Sequence, residues 1–279
     1  MPTEQNRAAG PERAGLDVAA VRAAVVRPGG LWRSVEVVPV TGSTNADLLA
    51  RADAGEPEGA VLVAEQQNAG RGRLGRAWVS PPRAALTFSV LLRPAAVPRA
   101  RLGWLPLLAG VAVAAAVRDA AAVDARLKWP NDVLVGAAKL AGILAEATGD
   151  AVVVGIGVNV STGPGELPPP GPGALPATSL RLEGSPNLDR ARLLAGILAG
   201  LERRYRTWSR VLGDAERSGL RAEYTGLCAT LGRRVRVELP GGRLLDGLAA
   251  DLDTDGRLLV SMPPGADLPV AAGDIVHLR

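Results

Sequence analysis

The 279-residue sequence has one cysteine, Cys228, and one histidine, His277. Those two scarcities remove whole classes of chemistry. An intramolecular disulfide cannot form, and a zinc site of the Cys/His type has too few ligands. The cysteine usage fits a reducing, cytoplasmic setting. A secretory leader is not expected either, because Met1 to Gly15 is polar and has no apolar core. The longest charge-free apolar run, between Arg101 and Arg118, is rich in Ala and Gly, contains Pro106, and falls short of the roughly 20 residues that span a bilayer. A buried core helix is expected there, and no membrane partner. Charge of one sign is not in large excess: the net charge is +4 and the basic residues are spread along the chain, so nothing points to specific DNA binding.

Lysine is the most informative scarcity. Of 32 basic Lys and Arg residues only Lys128 and Lys139 are lysine. Much Ala, Gly and Pro accompanies the arginine. Where a generic cation serves, this chain uses arginine, so two lysines eleven positions apart mark places where a compact ammonium differs in use from a planar guanidinium. Chance retention is the plain alternative.

What is present reads as a large α+β unit followed by a small β unit. A short helix is expected from Leu16 to Val26, a strand at Val35–Val40, and a helix opened by Ser43 or Thr44 as N-cap with Asp47 in its first turn. Val61–Ala64 reads as a buried strand, Gln66–Pro82 as a loop, Leu86–Leu92 as a strand, and about 102–122 as an apolar helix. Strands are expected at Arg126–Val135, Leu140–Ala147 and Ala151–Val160, then a Pro/Gly loop at Gly163–Pro176 and a long amphipathic helix from Leu188 to about Val211. After Leu231 short strands at Arg234–Leu239, Leu244–Ala249, Leu258–Ser261 and Asp274–Leu278 alternate with turns such as Pro240-Gly241-Gly242. Strands this short and closely spaced predict a small β-barrel. The expected division is an N-terminal extension at 1–33, a catalytic unit at 34–230 and a barrel at 231–279.

Gly70-Arg71-Gly72-Arg73-Leu74-Gly75 matches the dinucleotide pattern G-x-G-x-x-G, but Arg76-Ala77-Trp78-Val79-Ser80-Pro81-Pro82 does not open a helix and no acidic residue follows at the required distance. What remains is a flexible glycine-rich loop whose N–H groups and guanidinium forks can meet an anion, or else a solvated basic turn. Lys128-Trp129-Pro130-Asn131-Asp132 concentrates a cation, an aromatic face, an amide and a carboxylate in five residues. Lys139-Leu140-Ala141-Gly142-Ile143-Leu144 carries the second lysine into a strand with an interior glycine, and Gly155-Ile156-Gly157-Val158-Asn159 ends a buried strand. Polar groups at the ends of adjacent apolar strands make a cleft.

Ser43-Thr44-Asn45, Gln67, the GRGRLGRAW loop, KWPND, KLAGIL and GIGVN occur in the order and approximate spacing of the biotin–protein ligase family, which the chain resembles strongly over about 35–160 and loosely over the C-terminal barrel. The resemblance implies the mixed sheet and helices of class II aminoacyl-tRNA synthetases and biotin ligases, an SH3-like barrel, and an enzyme that activates biotin with ATP as biotinyl-5'-AMP before passing it to a lysine of a biotin carboxyl carrier domain. By matching position, Ser43, Thr44, Asn45, Gln67, Gly70, Arg71, Gly72 and Trp78 would receive biotin; Gly142 and Gly155 would let the ligand lie on the sheet. Arg73, Lys139 and Asp132 would be catalytic, the first two meeting carboxylate and α-phosphate and the third handling the acceptor lysine. Arg76, Lys128, Asn131, Asp132 and Asn159 would serve ATP, with Asn159 on adenine and Mg²⁺ arriving with ATP near Asp132 rather than in a protein-built metal site. In the family an aromatic residue before the barrel packs on adenine; here the candidate is Tyr224. Some relatives add an N-terminal DNA-binding domain, for which the 33 residues before the first strand are too few. A monomer or homodimer fits equally. A lipoate or other acyl ligase on the same scaffold is the near alternative. A non-enzymic basic binding protein is the distant one.

Overall fold

The computed structural model describes residues 13–170, 175–238, 244–262, 266–271 and 274–278. The first twelve residues of the N-terminal extension, part of the Pro/Gly loop and the Pro240-Gly241-Gly242 turn lie outside them. The elements are α1 (Val18–Val25), β1 (Ser34–Val38), α2 (Thr44–Asp53), β2 (Ala60–Ala64), β3 (Ala85–Leu92), α3 (Trp104–Ala121), β4 (Ala125–Lys128), β5 (Asp132–Val135), β6 (Ala138–Thr148), β7 (Ala151–Asn159), α4 (Arg190–Arg210), α5 (Leu220–Leu227) and five C-terminal strands, β8 (Arg234–Glu238), β9 (Leu244–Leu252), β10 (Leu258–Met262), β11 (Ala266–Val270) and β12 (Asp274–His277). The fold is α+β, a mixed sheet with helices followed by an antiparallel sheet.

The first sheet has the order β1-β2-β3-β7-β6-β5-β4, and only β1 and β2 run parallel. Its two faces are built differently. Leu86, Phe88 and Val90 of β3 and Val152, Val154, Ile156 and Val158 of β7 join α3 and α4 in the main core. The alternate positions face the other way, as the period of two requires. Near one end, Leu62, Leu91 and Val153 pack beneath Leu48 and Ala52 of α2. Further along, the same face carries Thr87 and Ser89 on β3 and Gly155, Gly157 and Asn159 on β7. Helix α2 covers only part of this face, and the rest is a cleft.

The apolar segment passes a membrane test by length and hydropathy, since a 3-10 turn extends it to Arg99–Ala121, 23 residues. It is nevertheless a core helix: thirteen residues of α3 are buried, and the helix packs against α4 and the sheet. Leu193, Leu194, Ile197, Leu198 and Leu201 supply the facing stripe of α4. Asp189 caps that helix by accepting from the N–H groups of Ala191 and Arg192.

One sequence expectation needs correction. Arg126–Val135 is not a single strand but the hairpin β4–β5, with Lys128 paired to Asp132 and the cis Trp129–Pro130 peptide in its turn. Proline has no N–H to continue the ladder, so the chain reverses there. KWPND is therefore a hairpin tip.

The C-terminal strands form an antiparallel sheet in the order β11-β10-β9-β8-β12. Val235, Val237, Ala249, Leu252, Leu258 and Val260 are its buried side. This sheet is tied to the hairpin tip. The indole N–H groups of Trp104 and Trp129 donate to the carbonyls of Thr254 and Gly256 in the β9–β10 turn, at 2.9 and 3.0 Å. Thr230 Oγ1 accepts from Trp129 N at 3.1 Å and sits 3.1 Å from His277 Nε2, so the hydroxyl hydrogen is free to go to a neutral imidazole. Burial, helped by the charges of Lys128 and Arg233, lowers the His277 pKa to about 4 from its ordinary 6.5. Between those values the unfolded chain binds a proton that the folded one does not, so falling pH favours unfolding over that window. The thermal midpoint of His277→Gln should accordingly lose less than wild type as the pH drops from about 6.5 to about 4. Parallel curves for the two proteins would show that His277 contributes nothing to the acid sensitivity.

Candidate active site

The cleft on the open face has a volume of about 610 Å³. Of the candidate residues, Ser43, Thr44, Asn45, Gln67, Arg71, Gly72, Arg73, Arg76, Trp78, Lys128, Asn131, Asp132, Lys139, Gly142, Gly155 and Asn159 all line it. Gly70 does not line it but lies directly behind: a Cβ there would come within 2.5 Å of Trp78 O and 2.7 Å of Gln67 Nε2.

One end is neutral and already ordered. Ser43 accepts from Ala46 N as the N-cap of α2. Gln67 Oε1 accepts from both the N–H and the hydroxyl of Thr44, at 2.8 and 3.0 Å, which leaves its amide nitrogen as the donor at this end. Thr44 Oγ1 meets Ser89 Oγ at 2.7 Å, and Ser89 donates to Asn45 Oδ1 at 2.6 Å. Asn45 then donates to Leu144 O and to Glu146. Asn45 is therefore saturated inside the protein, and its amide fills the space above Gly155, where a Cβ would lie 2.1 Å from Oδ1. The bare backbone of Gly155 makes room for the Asn45 amide, and both residues line the cleft.

The middle of the floor is glycine as well. A Cβ at Gly157 would fall 2.3 Å from the Trp78 ring, and one at Gly142 would fall 3.1 Å from Lys139 Nζ and 3.4 Å from Trp78. The Trp78 indole is held against this floor by Trp78 N donating to Gly70 O at 2.9 Å. Its Nε1 is buried with no hydrogen-bond partner among the described residues.

The other end is charged. Lys139 Nζ pairs with Asp132 Oδ1 at 2.6 Å, and both side chains are mostly sheltered. Arg73 donates to Asn131 Oδ1 at 3.2 Å, while Asn131 donates to Ile143 O and so pins the hairpin tip to β6. Asn159 donates to Thr178 O, and Lys139 exchanges backbone bonds with Pro176 and Thr178. Among the described charged residues that line the cleft, Arg71, Arg73, Arg76, Lys128 and Lys139 outnumber Asp132 and Glu238, and Arg71 also pairs with Glu146 at 3.5 Å. A cation excess at one end and a neutral amide-and-hydroxyl end suit a ligand with an uncharged polar head and an anionic tail.

Tyr224 is not part of this arrangement. It is 1% exposed, sits edge-on to Trp104 at 6.4 Å, and lies on α5 beneath α3 and β4. Residues that the motifs did not include also reach the cleft: Thr87, Pro168, Pro169, Pro170, Ala177, and Glu238, Ile275 and Val276 of the C-terminal sheet. Ser89 and Thr87 had a readable signal, two alternate hydroxyls in an otherwise apolar, fully buried strand. Among the described residues no group of three or more His, Cys, Asp or Glu side chains could hold a metal ion.

Comparison with known proteins gives a consistent picture. Residues 37–162 match the biotin/lipoate A/B protein ligase family, and residues 230–278 match the biotin protein ligase C-terminal domain. A biotin–[acetyl-CoA-carboxylase] ligase of Mycobacterium tuberculosis is 45% identical over 95% of this chain and 96% of its own length. The bifunctional ligase/repressor BirA of Bacillus subtilis is 32% identical over 81% of this chain and 69% of its own. The structure of biotin protein ligase from Aquifex aeolicus in complex with biotin and ATP superimposes with a TM-score of 0.75 at 26% identity, covering 88% of this chain and 100% of that one. With both family models matched, 45% identity along nearly the whole length of a curated ligase and a shared fold, the chain belongs to the biotin protein ligase family and is a ligase that forms a carbon–nitrogen bond.

Proposed function

We propose that this enzyme activates biotin with ATP to biotinyl-5'-AMP, releasing pyrophosphate, and transfers the biotinyl group to a lysine of a biotin carboxyl carrier domain. The observation that carries the reading is the graded cleft, neutral at Ser43, Thr44 and Gln67 and cationic at Arg73, Arg76, Lys128 and Lys139. A ureido ring offers a carbonyl and two N–H groups, which the amide and hydroxyls can meet. A carboxylate oxygen attacking α-phosphorus brings two anions together, and the cationic end offsets that repulsion and the charge that develops as pyrophosphate leaves. The donor set fits Mg²⁺ carried by ATP, since that ion keeps phosphate and water ligands and needs at most one or two carboxylates from the protein; when bound it supplies Lewis-acid neutralisation of the phosphates.

In the second half-reaction the acceptor amine attacks the acyl carbon, the C–O bond to AMP breaks, and the amine proton must leave. Asp132, held by Lys139 at 2.6 Å, is the carboxylate that orients the incoming amine. We assign residues 34–230 to the catalytic unit and 231–279 to a barrel that completes the cleft through Ile275 and Val276.

Arg73 lies on the covering loop and holds the hairpin tip through Asn131. Arg73→Gly should therefore let the adenylate escape, and bystander proteins mixed with the enzyme should acquire biotin. Labelling confined to the carrier would remove Arg73 from the gate. The reading as a whole is tested by ATP–pyrophosphate exchange. Exchange should require biotin, and lipoate should not replace it; exchange driven equally by lipoate would move the chain to the neighbouring acyl ligases.

A further inference from the structure

We propose that Arg13 and the strap it begins, residues 13–16, are a positioning element for the ATP end of the cleft. The proposal rests on the functional reading above.

The strap crosses the ends of three strands and holds each by a polar contact. Leu16 N donates to Glu65 Oε1 at 2.6 Å, just past β2 and two residues before Gln67. Arg190, 8% exposed, pairs with Glu65 at 2.6 Å and donates to Ala14 O at 2.8 Å. Arg83, at the close of the Trp78 loop, donates to Arg13 O at 3.1 Å. The guanidinium of Arg13 then reaches the chain leaving β7: Nε donates to Ser161 Oγ at 3.1 Å, and Nη2 to Ser161 O at 3.3 Å and Glu166 Oε2 at 2.6 Å. Its side chain is 11% exposed. The same Glu166 oxygen accepts from Gly163 N at 2.6 Å, closing a short turn.

That turn has a consequence for the cleft. Pro168, Pro169 and Pro170, which line it, follow Glu166 after a single residue, Leu167. The chain returns at Pro176–Thr178, where it is bonded to the backbone of Lys139 on both sides and to the side chain of Asn159. The described wall, Pro168–Pro170, is thus anchored through Glu166 by Arg13, while Pro176–Thr178 are held separately by Lys139 and Asn159. Asn159 lies four residues along β7 from Gly155, so the wall stands at the end assigned to ATP and not at the end of Ser43 and Gln67. A charge-assisted, three-point contact to a sheltered guanidinium is strong enough to hold such a wall in one place. The single-ammonium equivalent is not.

The test uses the full chain. In Arg13→Ala the KM for ATP in biotin-dependent pyrophosphate exchange should rise about tenfold, while the Kd for biotin measured without ATP stays within about twofold and the thermal midpoint moves little. Arg13→Lys should fall between, and Glu166→Gln combined with Arg13→Ala should be no worse than Arg13→Ala alone, because the two share one contact. A parallel loss of biotin affinity and of stability would make the strap ordinary scaffold and overturn the proposal, as would an unchanged KM for ATP. Absence of exchange in the wild-type protein would instead overturn the functional reading, so the two failures are distinguishable.

Discussion

Lys139→Arg should lower single-turnover formation of biotinyl-adenylate by on the order of a hundredfold at saturating biotin and ATP, with the fold retained. Charge is kept in this substitution, so the loss isolates shape. Lys139 Nζ sits between Asp132 Oδ1 at 2.6 Å and the bare backbone of Gly142, where even a methyl group would approach to 3.1 Å. A tetrahedral ammonium fits that space and can turn its three donors among Asp132, a carboxylate and a phosphate. A planar guanidinium is wider and fixed in its fork, and it would hold the attacking carboxylate away from phosphorus. The chain's own usage agrees, since 30 of its 32 Lys and Arg residues are arginine and this one is not. A circular dichroism spectrum and thermal midpoint like wild type establish that the protein is folded. An arginine variant within a fewfold of wild type would reduce Lys139 to a point charge.

Gly155→Ala should sharply weaken biotin binding by displacing Asn45 from the cleft wall. The new methyl would overlap Asn45 Oδ1, and Asn45 has no free direction: Ser89, Leu144 O and Glu146 take its amide from three sides. Overpacking of this kind costs about 1–3 kcal/mol. Expelling the amide would displace the first turn of α2, and with it Ser43 and Thr44, by about the 1 Å that costs on the order of a hundredfold. Isothermal titration with biotin and thermal unfolding measure the two effects separately. Adding Asn45→Ala to Gly155→Ala should recover stability while leaving biotin affinity low, a non-additive pattern expected of residues in contact. Wild-type affinity in Gly155→Ala alone would mean that Asn45 yields freely and does not set the wall.

Much of this site was legible because its residues come in contiguous motifs. Six short segments carried the sixteen lining candidates, and each is polar or glycine-rich where an apolar strand should continue. The remainder depended on pairing. Thr87 reaches the cleft because β3 lies opposite β7 in a register that sets it against Gly157, and Ile275 reaches it because β12 pairs with β8; neither contact is written locally. Tyr224 misled for the same reason, since an aromatic before the C-terminal sheet can face either side of the first one, and α5 turns it inward.

The fold shows the same division. Long periodic elements such as α3, α4 and β7 were readable from periodicity alone. The hairpin tip at Trp129–Pro130 was read through because its strands, Ala125–Lys128 and Asp132–Val135, are only four residues each. Strand β11 contains Asp267 and Pro269, which argue against a strand, yet it pairs only with β10 at the sheet edge, where proline is tolerated. The strap at 13–16 carries no motif at all. Its role rests on an arginine, Arg190, that reaches it from far along the sequence.

The most direct measurement of the central claim is to incubate the intact protein with biotin, ATP and a biotin carboxyl carrier domain and to map the product by mass spectrometry. The account predicts one biotinyl group on one carrier lysine, formed only with ATP and with pyrophosphate released, and lost when that lysine is replaced. An unmodified carrier alongside active pyrophosphate release would contradict transfer, and an unmodified carrier with no pyrophosphate would contradict the ligase reading of the cleft altogether.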